Sequence, residues 1–183
     1  MMPTMQHPEI KMAALHDDGT GNVHALLRAL VAEWRAQGRD VQGLVTRPGP
    51  PGAACSADMV LVDVVTGDEY LISQNLGKDA QGCRADPAGF ARASQVLRRA
   101  ADAPAALAVS NRFGKLESLG EGFADELMAL LSAEVPVLTV VSAQHREAWD
   151  TFTGGAPVLA AEAEVVRRWA GLGPQLAGAV AVG

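Results

Sequence analysis

Aromatic residues are scarce in this chain, at 4% of its 183 residues. A core must therefore come from Ala, Val and Leu within the 49% hydrophobic complement, a composition that suits helices packed on a parallel sheet. Basic charge is also in short supply. Fifteen Lys and Arg face 21 Asp and Glu, for a formal net charge of −6, and the lack of a basic surface argues against nucleic-acid binding. Cysteine is limited to Cys55 and Cys83, with no C-x-x-C pair. That excludes a disulfide scaffold and predicts reduced thiols in a cytoplasmic protein. No apolar run is long enough to cross a bilayer. The opening "MMPTMQHPEIKMAAL" lacks the charged-then-apolar layout of a signal peptide. Metal-ligand spacings are missing as well, so neither a metal nor a cofactor is expected. There is no internal repeat, and the length fits one domain over residues 1–183.

What is present is an alternation of short apolar runs with amphipathic segments. Ile10 to Leu15 reads as a buried strand. Val23, Leu26, Leu27, Leu30, Val31 and Trp34 then recur at helical spacing, up to a stop at Gly38. Val41 to Val45 is a second strand, and Met59 to Ser73 a hairpin turning near Thr66-Gly67. A polar loop from Asn75 to Ala85 leads to Asp86-Pro87, a cap and first-turn proline that open another helix. Ala105 to Val109 and Val137 to Val141 are further strands. Helices are predicted from Gly122 to Leu131, around Ala148-Trp149 up to Gly154-Gly155, and from Ala160 to Ala170. Strands alternating with helices predict an α/β three-layer sandwich: a mostly parallel sheet with an inserted antiparallel hairpin.

Two stretches should meet at the carboxyl edge of that sheet, where ligands bind in open α/β folds. The first is "HDDGTGN", a glycine turn between a strand and a helix, laid out like a phosphate-binding loop. Such a loop continues with lysine and then serine or threonine, yet here Asn22 and Val23 follow Gly21. The second is "SNRFGKLES" after the strand ending at Val109.

The order of glycine turn, helix, "GLV" strand, hairpin, polar loop and "GK-x-E" resembles the nucleoside-triphosphatases related to P-loop kinases. More closely, "GLVTR", "CRADP", "NRFGKLESLGEGF" and "PVLTVV" resemble a bacterial domain family of unassigned function. That resemblance implies genes often found beside those of molybdate transport. Set against the active P-loop pattern, Asn22 replaces the lysine, Val23 the metal-binding hydroxyl, Asn111 the metal-linked aspartate and Arg112 the adjacent acid. The pocket becomes about two charge units more positive, which favours an anion bound directly, without Mg²⁺.

The expectation is therefore a degenerate P-loop that does not hydrolyse nucleotide. It would bind a small oxyanion, molybdate being a candidate, or a phosphate-bearing ligand. The predicted contacts are the turn Gly19, Thr20, Gly21 and Asn22, then Asn111, Arg112 and Lys115 opposite, with Cys83 and Arg84 from the polar loop. Alternatives stay open: a nucleotide-binding protein or slow hydrolase using Lys115 and Glu117, and a protein adaptor with a vestigial pocket. Asp17 and Asp18 would repel an anion unless they serve as helix-start charges or point away. Arg112 and Lys115 could instead pair with Glu117 and Glu121 on the surface. His24 falls on the first helical turn, where it could touch a ligand.

Overall fold

The computed structural model describes residues 11–48, 59–74, 84–103 and 105–171. Its main sheet has seven strands: β1 (Met12–Asp17), β2 (Val41–Thr46), β3 (Val60–Asp63), β4 (Glu69–Leu71), β7 (Leu107–Val109), β8 (Val137–Ser142) and β9 (Val158–Leu159). In space they run β4-β3-β2-β7-β8-β1-β9, and β5 (Ser73–Gln74) pairs with β6 (Arg84–Ala85) as a separate ladder. The five strands from β2 to β9 are parallel, while β3 and β4 extend the sheet as an antiparallel hairpin. The predicted α/β architecture is the observed one.

Two apolar layers explain why these segments hold together. Helix α1 (Asn22–Ala36) buries Val23, Leu27, Leu30, Val31 and Trp34 on one face of the sheet, against Ala13, Leu15, Val109 and Val140. On the other face lie α2 (Pro87–Asp102), α4 (Ala124–Ser132) and α5 (Arg146–Thr153), packed on Ala14, Leu44, Ala108 and Val141. The final helix α6 (Ala163–Ala170) joins the α1 side through Val166. The scarce aromatics are concentrated on the α2 side, where Phe113 meets Trp149 edge-on at 5.4 Å and Phe152 at 5.3 Å. No helix among the described residues is long and apolar enough to cross a membrane.

Several boundaries differ from the sequence reading, each for a local reason. Ile10 lies outside the described residues, and β1 runs on to Asp17 because His16 and Asp17 still pair with Val141 and Ser142. The strand expected from Ala105 begins at Leu107, since the Ala105 and Ala106 N–H groups bond to Ala100 and Asp40 instead. The helix expected from Gly122 starts at Ala124, after a left-handed Gly122. That expected from Ala160 starts at Ala163, because Val158–Leu159 is pulled into the sheet beside β1 and Glu162 is extended. A four-residue helix, α3 (Lys115–Ser118), lies within "SNRFGKLES", to which the sequence reading gave no element.

The hairpin turn is closed by Asp63, whose side chain is buried. Its Oδ1 accepts from the Val65 N–H at 2.8 Å and the Thr66 N–H at 3.4 Å, and its Oδ2 accepts from Arg99 Nη2 at 2.6 Å. Burial pushes this carboxyl up, but the Arg99 bond and the turn amides outweigh it, and the pKa falls below the usual carboxylate range. A depressed folded pKa stabilises fully above the unfolded value near ~3.9, and the contribution is lost as pH falls through the folded pKa. Asp63→Asn should therefore destabilise by about 1–3 kcal/mol at neutral pH. It should also flatten the acid limb of the Tm-versus-pH curve below about pH 4. An acid limb of unchanged slope in the variant would show that this carboxylate is not linked to folding.

Candidate functional site

Strand β1 delivers Asp17 to the carboxyl edge of the sheet, and the chain turns through Asp18-Gly19-Thr20-Gly21 into α1. Gly19 and Gly21 both have φ of +84°, and a Cβ on either would meet nothing within 4 Å. Glycine is thus required there by backbone conformation rather than by space. The turn is satisfied from within. Asp17 Oδ1 accepts the Gly19 N–H at 2.8 Å, and Asp18 Oδ1 accepts both the N–H (3.0 Å) and the hydroxyl (2.6 Å) of Thr20. Thr20 Oγ1 in turn accepts the Asn22 N–H at 3.2 Å. The Thr20 bonds pull the Asp18 pKa down. The N–H groups of Gly21 and Val23 have no hydrogen-bond partner among the described residues.

The facing wall is the segment after β7. The Ser110 N–H bonds to Leu138 at 3.0 Å and the Phe113 N–H to Val140 at 2.8 Å, so the chain continues alongside β8 beyond its last strand residue. Phe113 then plugs into the Trp149 and Phe152 cluster. This anchoring leaves the half-exposed Arg112 with Nη2 3.4 Å from Asp17 Oδ2, joining the two walls. The alternative pairing of Arg112 with Glu117 or Glu121 does not form; its partner is Asp17.

On the α1 side His24 borders that pair. Its Nδ1 is buried without a hydrogen-bond partner. Burial pushes the pKa of this imidazole down, and Arg112 and Arg28 push the same way against Asp17. Arg28 is held by a 2.8 Å bond from Nη1 to the Thr46 carbonyl at the end of β2, and burial lowers its pKa.

On the α2 side Arg112 borders a cavity of about 540 Å³, also lined by Asn111, Lys115, Phe90, Ser73 and His145. Asn111 is 3% exposed, and its carbonyl Oδ1 has no hydrogen-bond partner among the described residues. Lys115 opens α3, is exposed, and makes no ion pair among the described residues. The alternative pairing of Lys115 with Glu117 or Glu121 gives way to a different fastening. The buried Glu117 carboxylate accepts the Gly114 N–H at 2.9 Å and the Phe123 N–H at 3.1 Å.

The sequence-predicted residues thus fall into three groups. Gly19, Thr20, Gly21 and Asn22 form one wall, which Arg112 meets through Asp17, whereas Asn111 and Lys115 line the cavity on the other side of Arg112, away from the glycine turn. The backbone of Arg84 lies in β6, next to Ala85 at the cavity rim. Cys83 lies outside the described residues. Sequence reasoning did not assign His145 and Ser73 to a site. His145 lies three residues beyond the carboxyl end of core strand β8, on the edge where ligands bind in open α/β sheets, and Ser142 Oγ lies 3.2 Å from its Nδ1. Among the described residues no group of three His, Cys, Asp or Glu could hold a metal ion.

Over 160 residues the chain is 35% identical to the Molybdenum import ATP-binding protein ModC 2 of Bradyrhizobium diazoefficiens. That stretch is 87% of this chain but 18% of the relative, so the chain spans less than a fifth of the relative's length. The fold is shared with the solution structure of a human cancer-related nucleoside triphosphatase. The TM-score is 0.58 at 18% identity, over 81% of this chain and 86% of that one. The family described as protein of unknown function (DUF2478) matches residues 12–169, and this chain belongs to it.

Proposed function

We propose that this chain forms one P-loop-like domain that binds a small oxyanion or phosphate-bearing group, without hydrolysing nucleotide, and that it is accessory to molybdenum import. The observation that carries this reading is the Asp17–Arg112 contact. An anionic group already sits between the Gly19 N–H and the Arg112 guanidinium, and it belongs to the chain itself. A tetrahedral oxyanion exchanges with that carboxylate, taking Arg112 as a bidentate partner. The free N–H groups of Gly21 and Val23 at the positive end of α1 supply further donors. Molybdate is the candidate suggested by the relative's name.

The residues do not fit a Mg²⁺–nucleotide complex. Val23, in place of the metal-binding hydroxyl, is buried in the core. Asn22 and Asn111 supply neither the loop cation nor the metal-linked carboxylate. A turnover near one nucleotide per second, at the low end of typical enzymes, is therefore not expected.

A thermal-shift screen of molybdate, tungstate, sulfate and phosphate without Mg²⁺ tests the proposal. At about 100-fold excess over Kd a bound anion stabilises by about 2.7 kcal/mol, or roughly 5–10 °C for a domain of this size. Arg112→Ala should abolish the shift. Asp17→Asn removes the internal competitor and should strengthen it, by up to about fivefold in affinity for an exposed ion pair. No shift with any of the four anions, or an undiminished one in Arg112→Ala, defeats the reading. The name of the relative and the fold of the triphosphatase favour nucleotide as the second reading, and a shift appearing only with Mg²⁺ and ATP would move it to first place.

A further inference from the structure

We propose that the cavity on the α2 side of Arg112 is a binding site in its own right, for a compact planar heterocycle carrying one anionic group and N–H donors. Three features of its lining specify that chemistry. Arg112 and Lys115 place two cationic side chains on one wall. Phe90, Met59 and Ile72 supply an apolar bed against which a flat ring packs. Among the buried polar groups of the lining is an unpaired acceptor: the Asn111 carbonyl, in a residue 3% exposed, has no partner among the described residues. A buried acceptor left unpaired costs stability, and a ligand N–H would remove that cost. The exposed Glu121 carboxylate at the rim adds a second acceptor for such donors.

Bare oxyanions meet only part of this specification. They have no N–H for Asn111 and no face for Phe90, so the cavity discriminates against them. Its volume of about 540 Å³ falls within the range of about 300–1,000 Å³ typical of small-molecule sites. The site lies on the face of the sheet opposite α1, and it stands whether or not an oxyanion exchanges with Asp17.

Calorimetric titration of the full chain with GMP, orotate and inorganic phosphate tests the assignment. GMP and orotate both carry an anionic group and ring N–H donors, while inorganic phosphate has only the charge. At least one of the two heterocycles should bind, and at least about tenfold more tightly than phosphate, since one good hydrogen bond plus ring burial is worth that much. Asn111→Leu keeps the side-chain volume and removes the unpaired acceptor. It should melt at or above the wild-type temperature while weakening heterocycle binding about tenfold. Lys115→Met should weaken GMP and orotate alike. The molybdate response of the Asp17 exchange site should survive Phe90→Leu, which removes the flat face from the cavity and should weaken heterocycle binding, so the two readings fail separately. Binding of neither heterocycle at millimolar concentration, or wild-type affinity in Asn111→Leu, overturns the proposal.

Discussion

Replacing Glu117 with alanine is expected to destabilise the domain by about 3–4 kcal/mol. Two buried backbone donors, the N–H groups of Gly114 and Phe123, would lose their acceptor at once. Each orphaned group costs about 1–3 kcal/mol, which for this chain length corresponds to a fall in Tm of roughly 10 °C. Glu117→Gln keeps one acceptor and turns an NH₂ towards the other donor, so about half the loss should remain. Denaturant melts of the three proteins read this directly. A loss below about 1 kcal/mol in the alanine variant would mean that the 114 and 123 loops close without this carboxylate. The same geometry bears on function. With its oxygens committed to fastening α3 between two loops, Glu117 is poorly disposed to serve as a relocated base for a hydrolase.

That carboxylate also shows where a sequence stops being informative. The main elements were legible from their apolar pattern: five apolar residues of α1 fall on one stripe and are buried, and β7 is a continuous apolar run with every residue buried. The cap of α2 was legible because Asp86 and Pro87 act locally, Asp86 Oδ1 accepting the Ala88 N–H at 3.1 Å. Helix α3 has four residues and rests on bonds made to Glu117, so no period announces it. Strand β9 has two residues and exists because β1 offers an open edge beside it.

The candidate site divides the same way. The meeting of the glycine turn with Arg112 was legible from topology, because the ends of parallel strands share one edge. The role of Asp17 and Asp18 was not. Read as charges they repel a ligand, whereas in the fold they first satisfy the turn's own N–H groups, a short-range Asx habit that competes with anion binding. The cavity escaped for another reason. One wall comes from residues 111–121, the stretch the sequence did single out, but the other is assembled one or two residues at a time from the segments at Met59, Ile72-Ser73, Ala85, Pro87 to Phe90 and His145. A wall assembled that thinly leaves no motif of its own.

The largest effect of any single methyl group should come at Gly43. It sits in the middle of β2, paired with Val109 of β7, at a φ of +126°. A Cβ there would lie 2.8 Å from the Val109 nitrogen and 2.9 Å from its carbonyl carbon, with the carbonyl oxygen closer still. All three are backbone atoms of a central strand, so no side-chain rotation can relieve the overlap. The Gly43 carbonyl meanwhile accepts the Val64 N–H at 3.0 Å, tying the hairpin to the same point. Gly43→Ala therefore combines about 1–3 kcal/mol of backbone strain with about 1–3 kcal/mol of overpacking. The expected loss of about 4 kcal/mol is a large share of the 5–15 kcal/mol typical of a whole domain. Gly19→Ala provides the contrast, because its φ of +84° is also left-handed but a Cβ there meets nothing within 4 Å. That variant should lose only about 1–2 kcal/mol, the strain alone. Urea melts of both variants separate the two contributions. Equal losses would show that contact with Val109 is not what reserves position 43 for glycine.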